Sequence, residues 1–460
     1  MIKSLINIEK AYDLRYDFFA KKNLSIKRCR MLNKKLLKYI LNVKHTIIDD
    51  VKMFDDDSIV FYVHTSKGQQ CRCGICGRKS PYYDAGRGYR LWRTTDIGLH
   101  RAEICADSYR VKCPEHGVVT AYVPWARHES RHTHDFEHTV TWLAMNCSKQ
   151  AVSRFMRISW NTVGPMISRV RNELDTHPEN RFDNLEKIGI DETSYRKGHK
   201  YMTVVVNHDT GKVVWVAPGH GKNVLTAFFS LLTEEQRSAI KIVSADGARW
   251  ITSCIEEFCP NAVRCIDPFH VVEWVNEALS KVRIESWNDA KKNAAPTPLR
   301  KVGRPPKGSV PKDKTASEIK GSKYALGKNP ENLTANQQAK LELIAKTDKR
   351  LWRAYQLKEE LRTVFKLDKE AGQEQLNHWI KWAQHCRIPA FVELQRKIRR
   401  HYDAILSTLE SGISNARIEA VNNKIKLSIR MAFGFRNIDN MIDMIMLRCS
   451  DLEVPLPWSW

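Results

Sequence analysis

Three acidic residues stand where carboxylates could share a metal ion. Asp191 ends the β-like run KIGID, and Asp246 ends the run KIVSAD. If these runs are neighbouring strands, their ends bring the two carboxylates together. Glu419 is the only acid in a polar row along a predicted helix, ahead of Lys426 and Arg430. Carboxylates bind magnesium and cations hold phosphates, so the set indicates metal-dependent chemistry on a phosphodiester backbone.

The chemistry that such a set supports is an in-line displacement at phosphorus. Two Mg²⁺ or Mn²⁺ ions about 4 Å apart could activate a water or a 3′-hydroxyl and stabilise the leaving oxygen. Taken alone, each acid is better explained by solvation at a strand end or by helix capping. The prediction therefore depends on all three acids together.

Four further residues have the spacing of a structural zinc site. Cys73 and Cys76 are separated by two residues, and Cys113 and His116 repeat that spacing further along the chain. Tetrahedral zinc takes four such ligands, and a site filled by protein leaves no position for a catalytic water. Cys71 could replace Cys73, and ordinary thiols in a strand-rich domain are the alternative. We expect one zinc ion that stabilises a small module.

The segment SKQAVSRFMRISWNTVGPMISRVRNE has the pattern of a helix-turn-helix. Ser159 can cap the second helix, whose first residues Trp160, Asn161 and Thr162 would face outward as in a recognition helix. An ordinary helical hairpin would have the same pattern. The positive net charge of the chain favours the DNA-binding interpretation.

The segment DPFH directly follows another predicted strand. Asp267 as an N-cap, with Pro268 at the first helical position, explains this segment without chemistry, and we favour that interpretation. We predict His270 as an auxiliary contact to DNA or to the active site.

The elements around these residues indicate a multidomain α+β protein. A chain of 460 residues allows roughly two to four domains. The runs KIGIDETSY, YMTVVVNHDTG and KVVWVAP are typical of a meander, and helices then alternate with the strands IKIVSADG and AVRCID. That order predicts a mixed sheet with helices. Helices resume from Ala335.

The charge of the chain predicts a polyanionic partner. Lys and Arg total 75 against 52 Asp and Glu, a net charge of +23, and double-stranded DNA is the leading candidate over a merely basic soluble protein. No apolar run approaches the roughly 20 residues of a membrane-spanning helix, so we expect no membrane partner. Lys3, Glu9 and Lys10 interrupt any signal-peptide pattern, which predicts a cytoplasmic location.

The excess of positive charge is clustered in two segments. Lys21 to His45 contains a predicted basic amphipathic helix, and residues 291–323 are rich in Lys, Arg and Pro. The Gly-Arg-Pro sequence at Arg304 resembles an AT-hook, which binds the minor groove, and it equally fits a flexible cationic linker. The basic side chains that we predict to contact DNA in these segments are Lys34, Lys35, Lys38, Arg300, Lys301 and Arg304.

Five motifs carry a family resemblance. IGIDETSYRKGHKY, VSADGARW, CIDPFHVVEWVNEAL, KGSKYALGKNPENLT and ARIEAVNNKIKLSIRMAFGFRN follow the cysteine cluster in this order. They resemble the DDE transposases of bacterial insertion sequences, specifically the ISL-three group. The resemblance extends from about Leu36 to Leu452.

This resemblance implies a fold and a function. The fold is a ribonuclease H-like α/β catalytic core with Asp191, Asp246 and Glu419 as the metal-binding triad. The long stretch between Asp246 and Glu419 implies a mainly helical insertion. The function is cutting at an element's terminal inverted repeats and joining the ends to target DNA. Because two ends must be cut together, we expect a homodimer or larger assembly on DNA in the bacterial nucleoid.

We therefore predict six regions and retain two rival functions. The regions are a basic N-terminal arm and helix (1–60), a zinc-binding module (61–125), a helix-turn-helix region (126–180), the first part of the core (181–275), a helical insertion (276–400) with its basic linker (291–323), and the rest of the core with the catalytic Glu helix (401–460). A non-catalytic zinc and helix-turn-helix DNA-binding protein derived from a transposase is one rival. A structure-selective nuclease of the same fold, which would cut without joining, is the other.

Overall fold

The computed structural model describes residues 26–27, 34–293, 314–413 and 416–456. The chain divides into two compact units, each of which is described by itself. The first unit is Met1–Thr176 with Ser428–Trp460, and the second unit is His177–Leu427.

The described residues form the following strands and helices. The strands are β1 (Ile26–Lys27), β2 (Thr46–Phe54), β3 (Ser58–Thr65), β4 (Tyr82–Asp84), β5 (Tyr89–Arg93), β6 (Arg101–Asp107), β7 (Arg110–Cys113), β8 (Gly117–Thr120), β9 (Lys187–Arg196), β10 (Lys200–Asn207), β11 (Val213–Pro218), β12 (Ile242–Ala245) and β13 (Val263–Ile266). The helices are α1 (Lys34–Ile40), α2 (His134–Asn146), α3 (Lys149–Phe155), α4 (Trp160–Leu174), α5 (Lys222–Ser230), α6 (Glu234–Ala239), α7 (Arg249–Phe258), α8 (Pro268–Asn293), α9 (Lys314–Gly321), α10 (Lys323–Gly327), α11 (Ala335–Thr347), α12 (Lys349–Val364), α13 (Lys369–His385), α14 (Pro389–Arg400), α15 (Tyr402–Ser411), α16 (Ala416–Met431) and α17 (Ile438–Cys449).

The described strands of the first unit form two sheets. One has the strand order β1-β2-β3-β6-β5, and the other has the order β4-β7-β8. Side chains alternate between the faces of a strand, so along β3 Phe61 and Val63 enter one hydrophobic core while Val60 and Tyr62 enter another. Because both of its faces are buried, β3 continues across the predicted region boundary at residue 60.

The N-terminal basic segment contains less helix than its sequence predicts. Helix α1 has a buried Leu37, but Leu36 is 54% exposed. Ile26–Lys27 pair with Met53 and Phe54 as an edge strand, so strand pairing prevails there over the predicted helix. The rest of the predicted helix before Lys34 lies outside the described residues.

Four helices of the first unit, α2, α3, α4 and α17, share one apolar core. Phe136 of α2, Val152 of α3, Val163 of α4 and Met444 of α17 belong to it. The sequence assigned residues 401–460 to the catalytic core as one region, whereas residues 428–460 belong to the first unit. Burial of Met444 and its neighbours in this core explains the difference.

The second unit contains the mixed sheet that the sequence predicts. Its strand order is β11-β10-β9-β12-β13. Strands β9, β10 and β11 are antiparallel, and β12 is parallel to both β9 and β13. Ile188 and Ile190 of β9, Val243 of β12 and Phe228 of α5 lie in the core beside the sheet. The predicted meander followed by alternating helices and strands is confirmed.

Helices α8 to α15 of the second unit surround a separate core, which includes Leu357, Trp379 and Phe391. Helix α9 forms within residues 291–323, which the sequence predicted to be a solvated linker. The burial of Ile319 in this core stabilises the helix. That part of the linker prediction is wrong, and residues 294–313 lie outside the described residues. Within the described ranges, no helix has both the length and the apolar character needed to cross a bilayer.

Candidate active site and zinc centre

Parallel pairing of β9 with β12 brings two of the predicted acids to one edge of the sheet. Ser244 of β12 pairs with Gly189 of β9. Asp246 and Asp191 each follow that pair by two residues, so they occupy corresponding positions on neighbouring strands. Asp246 comes directly after the end of β12, whereas β9 continues past Asp191 to Arg196, which corrects the prediction that Asp191 ends its strand. The fully buried Ile190 anchors β9 directly before Asp191.

Both carboxylate oxygens of Asp191 accept hydrogen bonds. Oδ1 accepts from the backbone N–H of Glu192 at 2.7 Å, and Oδ2 accepts from the side-chain amide of Asn422. Burial raises the pKa of Asp191, and the charge of Asp267 adds to the rise, while the two hydrogen bonds and the charge of His270 oppose it. A cation bound at this oriented, desolvated carboxylate would favour its ionised form.

Asn422 offers a second oxygen beside Asp191. Its side chain is only 7% exposed, and its Oδ1 is buried without a hydrogen-bond partner. An unsatisfied buried oxygen costs about 1–3 kcal/mol, and a hard cation or its bound water would satisfy it. The orphaned oxygen therefore fits a divalent ion at this position. The sequence predicted that Asn422 lies in the polar row of α16, but not that it contacts Asp191.

Glu192 is a further acid at this edge that the sequence analysis missed. Its Oε1 accepts a hydrogen bond from the backbone N–H of Gly221 at 3.1 Å. Burial raises the pKa of Glu192, and the charges of Asp246 and Asp191 raise it further. Glu192 therefore lies in the electric field of both aspartates, where a divalent cation would relieve the repulsion. Adjacent residues of a strand point to opposite faces, so the sequence contained no signal that the two acids influence each other.

Helix α16 passes close to β9 and carries Glu419. A Cβ atom on Gly189 would lie 2.0 Å from Cδ1 of Ile418, so only glycine permits this approach. Glu419 precedes Asn422 by three residues and lies on the same side of the helix. The Glu419 side chain is exposed. The structure thus joins Asp191 to Asn422 and leaves Glu419 one helical turn away.

The DPFH segment has the predicted capping geometry. Oδ1 of Asp267 accepts a hydrogen bond from the backbone N–H of Phe269 at 2.9 Å, and α8 begins at Pro268. Nδ1 of His270 lies 3.2 Å from Oε2 of Glu273. Because the charge of His270 also lowers the pKa of Asp191, this imidazole belongs to the surroundings of the acidic site.

The four predicted zinc ligands form one cluster in the first unit. The ligand atoms of Cys73, Cys76, Cys113 and His116 all lie within 4.8 Å of one another. Sγ of Cys76 and Sγ of Cys113 are 3.8 Å apart, and Sγ of Cys113 and Nδ1 of His116 are 3.6 Å apart. Tetrahedral ligands at normal zinc bond lengths lie roughly 3.5–3.8 Å apart. The cluster therefore fits zinc, and Cys71 is not part of it.

The electrostatics of the cluster also suit a metal. Cys113 ends β7, and His116 follows it in the turn before β8. The hydrogen bond from the backbone of His116 is the main cause that lowers the pKa of Cys113 to about 6. The thiolate, which is the form that binds zinc, is therefore favoured near neutral pH.

The predicted recognition helix has an exposed N-terminus. Ser159 stands at the N-cap position of α4, but its side chain makes no capping hydrogen bond. Trp160 is 36% exposed, Asn161 is exposed and Thr162 is half-buried. Nζ of Lys149 lies 4.7 Å from the centre of the Trp160 ring, so a cation already covers part of this aromatic surface.

Some of the other residues that we predict to contact DNA are described by the structure, and some are not. Nζ of Lys34 donates a hydrogen bond to the backbone C=O of Asp49 at 2.8 Å. The remaining predicted basic residues that the structure describes are exposed: Lys35, Lys38, Lys426 and Arg430. Three others fall in the segment outside the described residues: Arg300, Lys301 and Arg304.

Comparison with known families gives three matches along the chain. A family model described as a transposase matches residues 188–445, a range that contains all three predicted catalytic acids. The helix-turn-helix domain of transposase family ISL3 matches residues 122–171. The zinc-finger of transposase IS204/IS1001/IS1096/IS1165 matches residues 69–116, which contain the whole zinc cluster.

Whole-chain similarity agrees with these matches. The chain is 47% identical over 435 residues to the transposase for insertion sequence element IS1557 of Mycobacterium tuberculosis (strain CDC 1551 / Oshkosh), covering 93% of this chain and 98% of that protein. It is 27% identical over 315 residues to the transposase for insertion sequence element IS1001 of Bordetella parapertussis, covering 68% and 72% of the two chains. The family resemblance predicted from the motifs is confirmed, and the chain belongs to the ISL3 family of insertion-sequence transposases.

Proposed function

We propose that this transposase cuts DNA at the terminal inverted repeats of its element and joins the ends to target DNA, with Asp191, Asp246 and Glu419 as catalytic residues. The register of β9 with β12 carries this proposal, because it aligns Asp191 and Asp246 at one edge of the sheet. The contact of Asn422 with Asp191 supports the third assignment, since Glu419 lies one turn before Asn422.

The donor set supports two Mg²⁺ or Mn²⁺ ions per active site, held by the three acids. When bound, such ions activate the attacking hydroxyl and stabilise the leaving oxygen. The side chains of the protein orient the metal ligands and hold the DNA. The amide of Asn422 orients Asp191, and the exposed Lys426 would hold a DNA phosphate.

We propose a ribonuclease H-like core interrupted by a helical insertion. A sheet of three antiparallel strands followed by two parallel ones supports the core. The position of helices α8 to α15 between β13 and α16 supports the insertion.

The DNA contacts are proposed from exposure and charge. Trp160, Asn161 and Thr162 would read element ends, His270 would contact DNA near the active site, and Arg430 would bind phosphate. In the N-terminal and linker segments, phosphate contacts would come from Lys34, Lys35, Lys38, Arg300, Lys301 and Arg304. We further propose that Cys73, Cys76, Cys113 and His116 hold one structural zinc, and that a homodimer or larger assembly brings two ends together.

The test is cleavage and joining of end DNA, a duplex that carries the inverted repeat read from beside the gene. Asp191→Asn, Asp246→Asn and Glu419→Gln should each abolish Mg²⁺-dependent cleavage while binding of end DNA persists, because each removes ligand charge with little change in volume. Asp289→Asn, which changes an exposed acid of α8, is the matched control and should cleave normally.

The same assay separates the rival functions. Strand-transfer product from the parent protein distinguishes a transposase from a nuclease that only cuts. Full cleavage by any one of the three variants would remove that residue from the triad. Binding without cleavage by the parent protein would favour the non-catalytic alternative.

A further inference from the structure

An exposed phenylalanine ends helix α16 in a conformation that usually belongs to glycine. Phe433 has a φ of +52°. Its backbone N–H donates to the C=O of Arg430, and that of Gly434 donates to the C=O of Ile429. These two bonds form a Schellman motif with Phe433 at the left-handed position. Bulky residues rarely occupy this region, because Cβ crowds the backbone.

Among the residues that the structure describes, no interaction compensates for this choice of residue. The Phe433 side chain is 90% exposed, so its ring loses almost no contact with water on folding. Phe435, two residues later, is instead packed against the core that contains Phe136. A glycine at position 433 would relieve the strain and remove the exposed apolar surface. The ring at position 433 is therefore best explained by a contact with another molecule.

Arg430 and Arg436 stand three residues before and three residues after Phe433, and Arg436 lies close to a second aromatic ring. The guanidinium of Arg436 lies 5.8 Å from the centre of the Trp160 ring, and Nζ of Lys149 lies 4.7 Å from the same ring. Arg430 is exposed at the end of α16. All of these residues belong to the first unit, which also contains the helix-turn-helix match. Aromatic rings among positive charges are typical of surfaces that stack on or wedge between nucleic-acid bases.

We propose that Phe433 inserts its ring against the bases of DNA bound by the first unit, while Arg436 and Lys149 hold the adjacent phosphates. This inference rests on the DNA binding of the proposed function, and it does not depend on the catalytic assignment. The partner is DNA rather than protein because two arginines flank Phe433 along the chain, which has a net charge of +23.

The experiment compares Phe433→Gly and Phe433→Tyr with the parent protein. Affinity is measured by fluorescence anisotropy on end DNA and on a random duplex, and unstacking is detected with 2-aminopurine placed at successive positions of the end DNA. Phe433→Gly should bind end DNA on the order of tenfold more weakly and lose the 2-aminopurine signal. Its thermal unfolding midpoint should equal or exceed that of the parent. Phe433→Tyr keeps the ring and should behave as the parent does.

Leu99→Ala is the matched control, because Leu99 is also 90% exposed and its loss should leave affinity unchanged. Parent-like affinity of Phe433→Gly would overturn the proposal. A lowered unfolding midpoint would show that the ring is structural, and altered sedimentation of the free protein at unchanged DNA affinity would assign the ring to a protein contact. Either result would also overturn it. An Asp191→Asn background gives the same comparison without cleavage, so the outcome is independent of the catalytic proposal.

Discussion

Among single residues, Asn422 has the most constrained position in the acidic site. Its amide donates to Asp191, and its buried Oδ1 lacks a partner. A side chain that orients a metal ligand from behind commonly changes metal affinity when it is removed, by about 10–100-fold. Such a residue acts through the ligand that it positions, and its loss need not disturb the fold.

We predict that Asn422→Ala weakens Mn²⁺ binding by about tenfold in the absence of DNA, because Asp191 loses the donor that fixes its orientation. The measurement is a Mn²⁺ titration followed by the electron paramagnetic resonance of the free ion. Asn423→Ala, on the exposed side of the same helix, should bind Mn²⁺ as the parent does. Equal affinity in all three proteins would reduce Asn422 to a packing residue.

The sequence predicts which element carries an acidic residue better than it predicts which side chain that residue contacts. The strand-end pattern was correct for Asp246, which directly follows β12, but β9 continues past Asp191 to Arg196. The apolar stripe of α16 correctly predicted that Ile418 is buried. The contact between Asn422 and Asp191 joins residues 231 positions apart. It depends on how closely α16 approaches Gly189, and this distance is set by tertiary packing that no local pattern encodes.

At the scale of elements, the three strands β4, β7 and β8 depend on the cysteine cluster. They span only three or four residues each, and a sheet so short has little apolar surface to bury. The neighbouring five-stranded sheet has its own core, which includes Phe61, Trp92 and Ile104. Metal binding should therefore stabilise the small sheet much more than the large one.

We predict that a Cys73→Ser, Cys76→Ser double variant loses one zinc ion per chain and the amide protection of β4, β7 and β8, while β3 and β6 stay protected. Elemental analysis and hydrogen–deuterium exchange measure the two effects. Cys71→Ser is the control, because this thiol lies outside the cluster. Absence of zinc from the purified parent protein would contradict the assignment.

The sequence patterns misassigned two elements whose local sequence does not indicate their secondary structure. Helix α9 lies in a Lys- and Pro-rich stretch, yet Ile319 is 3% exposed in the helical core. Ile26–Lys27 pair with an existing strand edge inside a segment that reads as a helix. In both cases packing or pairing with residues far away in the sequence determines the local structure. Residue spacing and charge along the chain are therefore not sufficient to predict it.

At the scale of the whole molecule, the chain returns to its first unit at the end. Residues Ser428–Trp460 join Met1–Thr176, and the boundary lies inside α16 rather than in a loop. Residues 401–460 show no change in composition at the unit boundary, so the sequence carries no signal for this return. Net charge and the order of motifs, by contrast, were sufficient to predict the family.

Substitution of Gly189 should affect how the insertion sequence that encodes this chain transposes. A side chain there would meet Cδ1 of Ile418 at 2.0 Å and Nε2 of His208 at 2.8 Å, so Gly189→Val should displace the helix that bears Glu419. The helix-turn-helix and zinc regions lie elsewhere in the chain, so this variant should still occupy element ends without cutting them. A copy decayed at this one codon would then be a dominant inhibitor of intact copies in the same cell. Co-expression should lower the transposition frequency of an intact element, and an unchanged frequency would contradict this expectation.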